Sequence, residues 1–225
     1  MKIHNWTKFT ILYSLICIAH LSIIQSVDCG DLNVYTKPLI MLSAIGFTRF
    51  YLKAYNYYKL IILAFVFSLF GDVFLLWQSI SDIFFVAGLA SFLIAHLLYA
   101  FYFYKSSAKT WTKNRTLIII QFLMFLLVIG YYSLMYPGLG DLSIPVLFYV
   151  STIGAMGILA LNRYLQVSSK SFWYIFIGAL SFILSDSIIG FNKFVDPITN
   201  ASFYIMLFYC LAQYLILKGF LNSKQ

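Results

Sequence analysis

The sequence predicts an all-α, polytopic integral membrane protein with eight transmembrane helices, and three observations carry that prediction. Of 225 residues, 62% are hydrophobic and 10% charged, with a mean hydropathy of +0.89, whereas a soluble domain carries roughly a quarter charged residues. Apolar stretches recur at about the 20-residue length that a membrane crossing needs. Aromatic residues make up 20% of the chain, and Trp and Tyr gather near the ends of those stretches, where amphipathic rings sit at headgroup level.

The first expected span, residues 9–27, follows Lys2 and Lys8. Its layout is that of a signal peptide, but no small-x-small cleavage site follows it. In SVDCG, Asp28 precedes Cys29, which does not fit a lipoprotein site, so a retained span is expected. The remaining spans are expected at 33–52, 59–78, 82–104, 115–136, 143–164, 172–192 and 200–220. The breaks VDCGDLN, KAYNYYK, SISD, KSSAKTWTKNR, PGLGD, QVSSKS and FNKFVDPITN punctuate them with polar, Gly and Pro residues. None has room for a second domain, so residues 1–225 are expected to form one transmembrane helical domain.

Orientation follows from the Lys and Arg at alternate span ends, because cytoplasmic loops retain positive charge. Lys2, Lys8, Arg49, Lys53, Lys59, Lys105, Lys109, Lys113, Arg115, Arg163, Lys170, Lys218 and Lys224 fall on one side. Lys193 falls on the other, with Lys37 at a span edge and Asp28, Asp31, Asp82, Asp141 and Asp196 gathered there. Both termini are therefore expected in the cytoplasm. The net charge of +8 lies in short clusters beside apolar runs rather than along one solvated face, which argues against nucleic acid. Cys17, Cys29 and Cys210 lack metal-ligand spacing. No Walker loop, serine elbow, HExxH or dinucleotide fingerprint is present, so the commonest phosphate, acyl and metal chemistries are not indicated.

A weak internal repeat runs through the chain: FGDVFLL around Asp72 is similar to LSDSIIG around Asp186, AH at 95–96 parallels AQ at 212–213, and Pro38 matches Pro145. A parallel 4+4 arrangement of spans 1–4 and 5–8 is the expectation from it.

The chain has seven acidic residues, all Asp, and only Asp72 and Asp186 fall inside apolar spans. A carboxylate at membrane depth costs several kcal/mol unless protonated, paired or facing a wet cavity, which marks both as functional candidates. They lie roughly thirteen and fourteen residues from the cytoplasmic starts of their spans, a shared depth at ~1.5 Å per residue. If they face one another, a low-dielectric site favours one protonated and one ionised carboxyl. A polar network that only locks helices together is the alternative. His96, with Tyr99 one turn away on the same face, and Gln213 at comparable depth are expected to line the same cavity, or to serve as helix-to-helix hydrogen bonders. Lys37, before Pro38 at a non-cytoplasmic edge, suits a phosphate headgroup, an interfacial anchor or an ion pair with Asp72. Asn192 and Lys193 are further candidates of that kind.

The segments YTKPLIML (35–42), FSLFGDVFLL (67–76), FFVAGLASFLIAHLLYAFYF (84–103), GALSFILSDSIIGFNKF (178–194) and YCLAQYLIL (209–217) together resemble the YhhN family. That family includes lysoplasmalogenases, multi-span enzymes that cleave the vinyl-ether bond of lysoplasmalogens to a fatty aldehyde and a glycerophospho-alcohol. The resemblance runs from span two to span eight. It implies that Asp72 and Asp186, on the family's GD and SD motifs, are the catalytic pair, with Lys37, His96 and Gln213 on other motif positions. An enol ether hydrolyses when an acid protonates its carbon and water captures the oxocarbenium ion, so one acid and one anion suffice, as with the two carboxyls of a glycosidase. No metal or organic cofactor is required. The partners implied are a lysophospholipid substrate and the bilayer, and the compact loops suit a bacterial inner membrane. Two rival readings use the same residues. A transporter or proton-coupled channel would relay ions through the aspartates, and a non-catalytic scaffold would use them to fasten helices.

Overall fold

The computed structural model describes residues 3–26, 32–107, 111 and 113–223. Lys2, Asp28, Cys29, Asp31, Lys109 and Lys224 lie outside the described residues.

Among the described residues the structure is all helical. It comprises α1 (Ile3–Gln25), α2 (Asn33–Tyr51), α3 (Tyr58–Leu76), α4 (Asp82–Lys105), α5 (Arg115–Leu139), α6 (Ser143–Asn162), α7 (Ser169–Phe194) and α8 (Ala201–Leu221). Six stretches are long and apolar enough to cross a membrane, and the chain is an integral membrane protein. One of the six, Arg115–Asn162, contains both α5 and α6. At ~1.5 Å per residue it would run more than twice the ~30 Å hydrocarbon thickness if straight. It is not straight: Gly140 takes φ +49° and ψ −128° at the end of α5, and a 3-10 turn over Gly140–Leu142 leads into α6. The left-handed φ costs a glycine little. α6 folds back on α5, with Met135, Leu139, Val146 and Val150 forming a buried cluster. α2 is not among the six stretches. It carries Asn33, Thr36, Lys37, Ser43, Thr48 and Arg49 in 19 residues, which dilutes its apolar content. α1 begins at Ile3, six residues before the expected span edge, because Trp6 and Phe9 pack as rings against Phe47 of α2.

The chain divides into two compact units at Tyr99/Ala100, within α4. In the first, α1 packs on α2 and α2 on α3, around buried Ile40, Met41, Ala44, Ile61, Ala64 and Phe65. α3 and α4 approach closely: a Cβ at Gly71 would stand 2.6 Å from the Phe92 ring, and one at Gly88 would stand 2.8 Å from Leu75. Small residues are the usual means by which membrane helices come near enough to gain dispersion energy.

In the second unit α7 packs on α8, α6 on α7 and α5 on α6 and α7. Three serines stitch α7 to α8 through backbone carbonyls: Ser168 Oγ to Asn222 (2.9 Å), Ser171 Oγ to Gly219 (2.9 Å) and Ser185 Oγ to Ile205 (3.0 Å). As the serine index rises the partner index falls residue for residue, the register of an antiparallel pair. Gly178 and Gly219 sit where a Cβ would crowd the facing helix, with Ala212 O and Ser171 O each 3.1 Å away.

Candidate functional site

In the first unit, the polar residues collect where the end of α1, the start of α2 and the end of α3 meet. Lys37 lies four residues into α2, and Asp72 four residues before the end of α3. Their side chains form an ion pair, Lys37 Nζ to Asp72 Oδ1 at 3.6 Å, with the lysine side chain 12% and the aspartate 2% exposed. A carboxylate inside an apolar helix is thereby compensated by a cation from the neighbouring helix, which is the condition under which a buried charge is tolerated. Of the readings open for Lys37, the ion pair with Asp72 is present in the structure.

One residue earlier on α2, Thr36 meets His20 of α1 at the same end of the unit. Thr36 Oγ is hydrogen-bonded to His20 Nδ1 at 2.9 Å and lies 3.1 Å from the Leu32 carbonyl. The buried Nε2 of this imidazole has no hydrogen-bond partner. Lys37 also acts on this ring electrostatically. His96 and Tyr99 of α4 are both fully buried, and the Tyr99 ring meets Phe65 edge to face at 6.3 Å.

The second unit holds Asp186 in α7, 8% exposed, and Gln213 in α8, fully buried. Tyr149 of α6 donates its phenolic hydrogen to Asp186 Oδ2. Tyr131 of α5 donates to the carbonyl of Ser187, the next residue. On the third side Ser185 is tied to α8. Asn192 is used locally: its Oδ1 accepts from the Ile198 backbone N–H at 2.8 Å and so holds the connection between α7 and α8. Deeper toward the other end of this unit, Arg163 is fully buried. It lies over Tyr102 and Phe103 at 5.9 and 5.8 Å, with Nη2 donating to Ser171 Oγ at 3.0 Å.

His20, Tyr131, Tyr149 and Arg163 were not among the candidates read from the sequence. A depth count carries the signal for two of them. Asp186 lies eight residues before the end of α7, Tyr149 six residues after the start of α6, and Tyr131 eight residues before the end of α5. At ~1.5 Å per residue all three sit about 9–12 Å from their helix ends, well inside the belt where interfacial tyrosines belong.

Chemically, the first unit offers a cation-paired carboxylate and a buried imidazole, and the second a carboxyl held by a phenol. The model of the YhhN family matches residues 32–220. "Lysoplasmalogenase TMEM86A" of Bos taurus is 34% identical over 165 residues, covering 71% of this chain and 64% of that protein. The Homo sapiens protein of the same name is 34% identical over 170 residues, with the same coverage. "Lysoplasmalogenase TMEM86B" of Homo sapiens is 33% identical over 189 residues, covering 83% of this chain and 74% of that protein. The chain thus spans a little under two thirds of the length of the two TMEM86A proteins. No solved structure matches it.

Proposed function

Because this chain belongs to the YhhN family, we propose that it is a membrane-embedded hydrolase that cleaves the vinyl-ether bond of lysoplasmalogen, giving a fatty aldehyde and glycerophosphoethanolamine or glycerophosphocholine. The relatives' names support the substrate class. The observation that carries the mechanism is that the two aspartates set inside apolar helices, Asp72 and Asp186, are nearly buried, at 1% and 8% exposure. Each is also met by a polar side chain, Lys37 and Tyr149 respectively. Unused carboxyls in such surroundings would be costly to keep.

The reaction asks little else of the protein. One carboxyl delivers a proton to the vinyl carbon distal to the ether oxygen, leaving an oxocarbenium ion on the carbon that bears oxygen. The other, ionised, stabilises that cation and takes a proton from the water that captures it. The resulting hemiacetal breaks its bond to the glycerol oxygen. That oxygen regains a proton and the carbonyl of the aldehyde forms, so one water is consumed and no electrons are exchanged. Lys37 pairs with Asp72 and lies near the start of α2, where it is also placed to meet a headgroup phosphate. His96 and Tyr99 of α4 and Gln213 of α8, each fully buried in its own unit, are given supporting roles in this reading.

The membrane arrangement proposed with this function has eight spans, both termini cytoplasmic and a parallel 4+4 repeat. Its support is the distribution of Lys and Arg and the likeness of the segments around Asp72 and Asp186. Placement in a bacterial inner membrane has the compact loops as its support, whereas the relatives named above are mammalian.

The test is turnover of lysoplasmalogen in ¹⁸O-water, with the aldehyde reduced in place to stop exchange. Vinyl-side cleavage leaves the released glycerophospho-alcohol with its original oxygen. Heavy oxygen in the glycerol hydroxyl, or no aldehyde at all, overturns the proposal.

A further inference from the structure

The turn of α7 that bears Asp186 is held from three helices at three consecutive residues. Ser185 Oγ donates to the Ile205 carbonyl of α8. Tyr149 of α6 donates to the Asp186 carboxyl itself. Tyr131 of α5 donates to the Ser187 carbonyl, and Gly190, one turn on, leaves room for it: a Cβ there would lie 2.8 Å from Tyr131 Oη and 2.9 Å from Met135 Sδ. A carboxyl needs little of this to be tolerated, since one donor satisfies the oxygen concerned. Fixing three successive residues against three separate helices is instead how a reacting group is kept within a fraction of an ångström of its working geometry. Tyr149 is suited to such a task. Its ring is 8% exposed, so its rotamer is set by packing, and its hydroxyl stands at the depth of the carboxyl.

We propose that Tyr149 is a positioning residue for Asp186, fixing the carboxyl's rotamer by its hydrogen bond to Oδ2 and directing proton exchange with the vinyl ether to the other oxygen. This rests on the function proposed above. Tyr131 supports it from behind by holding the Ser187 carbonyl.

The experiment is Tyr149→Phe in the full chain, which keeps the ring and removes the donor, assayed for aldehyde release and examined by infrared spectroscopy. The Asp186 carboxyl band is identified by its disappearance in Asp186→Asn. Loss of the hydrogen bond that fixes the reacting carboxyl is expected to lower kcat roughly ten- to hundredfold. KM should stay within about twofold, as befits an interaction made with the catalytic group rather than the substrate. The Asp186 band is expected to move. A kcat within about twofold of wild type, or an unmoved band, overturns the role of Tyr149 while the hydrolase reading stands. A wild type that releases no aldehyde overturns the hydrolase reading and this role with it. Should Tyr149→Phe not fold, fluorotyrosine at 149 keeps the shape and strengthens the donor. It must then shift the band in the opposite sense to donor loss, and an unmoved band overturns the role.

Discussion

Replacing Lys37 by Met isolates the energetics of the buried ion pair. Lys37 Nζ lies 3.6 Å from Asp72 Oδ1, and the aspartate side chain is 2% exposed. Met keeps most of the stem's volume and removes the cation that faces the buried Asp72 carboxylate. Removing one partner of a buried pair costs about 3–5 kcal/mol. Lys37 itself is 12% exposed, so water reaches the pair at one side and the lower end, about 3 kcal/mol, is expected. For a chain of this size that corresponds to a fall of roughly 6–12 °C in melting temperature. Asp72→Asn should cost less, about 1 kcal/mol, because the remaining lysine can extend toward the headgroups. The double variant removes both charges and should melt above Lys37→Met, with a coupling of roughly 2 kcal/mol. Thermal unfolding in detergent micelles, followed by circular dichroism on all four proteins, reads this directly. If Lys37→Met melts with the wild type, or if the two single effects simply add in the double variant, the pair does not hold Asp72 and the reasoning fails.

Other perturbations test other parts of the fold. Gly138→Ala is expected to be among the most damaging small substitutions, because its Cβ would stand 2.1 Å from the Phe194 backbone oxygen, which no side-chain adjustment relieves. A cost above about 3 kcal/mol should appear as loss of folded protein on gel filtration. Gly190→Ala must displace Tyr131 from the Ser187 carbonyl, and should lower aldehyde release by more than it lowers the melting temperature relative to Gly88→Ala, a comparably tight site against Leu75. Arg163→Met is expected to melt at or above Arg163→Lys. The guanidinium is fully buried over Tyr102 and Phe103 with Nε and Nη1 lacking partners, so removing the charge relieves desolvation while Lys keeps it and loses the planar stack. Melting curves of the two variants decide it.

The helical class and the membrane setting were legible because composition alone forces them, and Asp72 and Asp186 stood out as the two carboxyls inside apolar runs. The pairing of Lys37 with Asp72 was one of three readings open for Lys37, since only packing of α2 on α3 selects among them. Tyr149 and Tyr131 were passed over for a physical reason. Among 18 tyrosines in a chain whose spans end in aromatic belts, a tyrosine inside a span carries no signal of its own. It acquires one only when its depth is matched to that of a carboxyl on another helix. His20 was hidden likewise, because its partner Thr36 lies across the first break and neither residue has a sequence pattern. Arg163 read as one more cytoplasmic cation, and nothing in its neighbours along the chain shows that Tyr102, Phe103 and Ser171 converge on it. The α5–α6 connection was visible as PGLGD, but that Gly140 takes positive φ there is a property of the fold-back itself.

The most direct measurement is aldehyde release from lysoplasmalogen by the purified, detergent-solubilised protein, with Asp72→Asn and Asp186→Asn beside it after circular dichroism has established that both are folded. Aldehyde from the wild type and none from either folded variant is the expected result. Equal aldehyde from all three would contradict the roles given to the two carboxyls, and none from any of them would contradict the hydrolase reading itself.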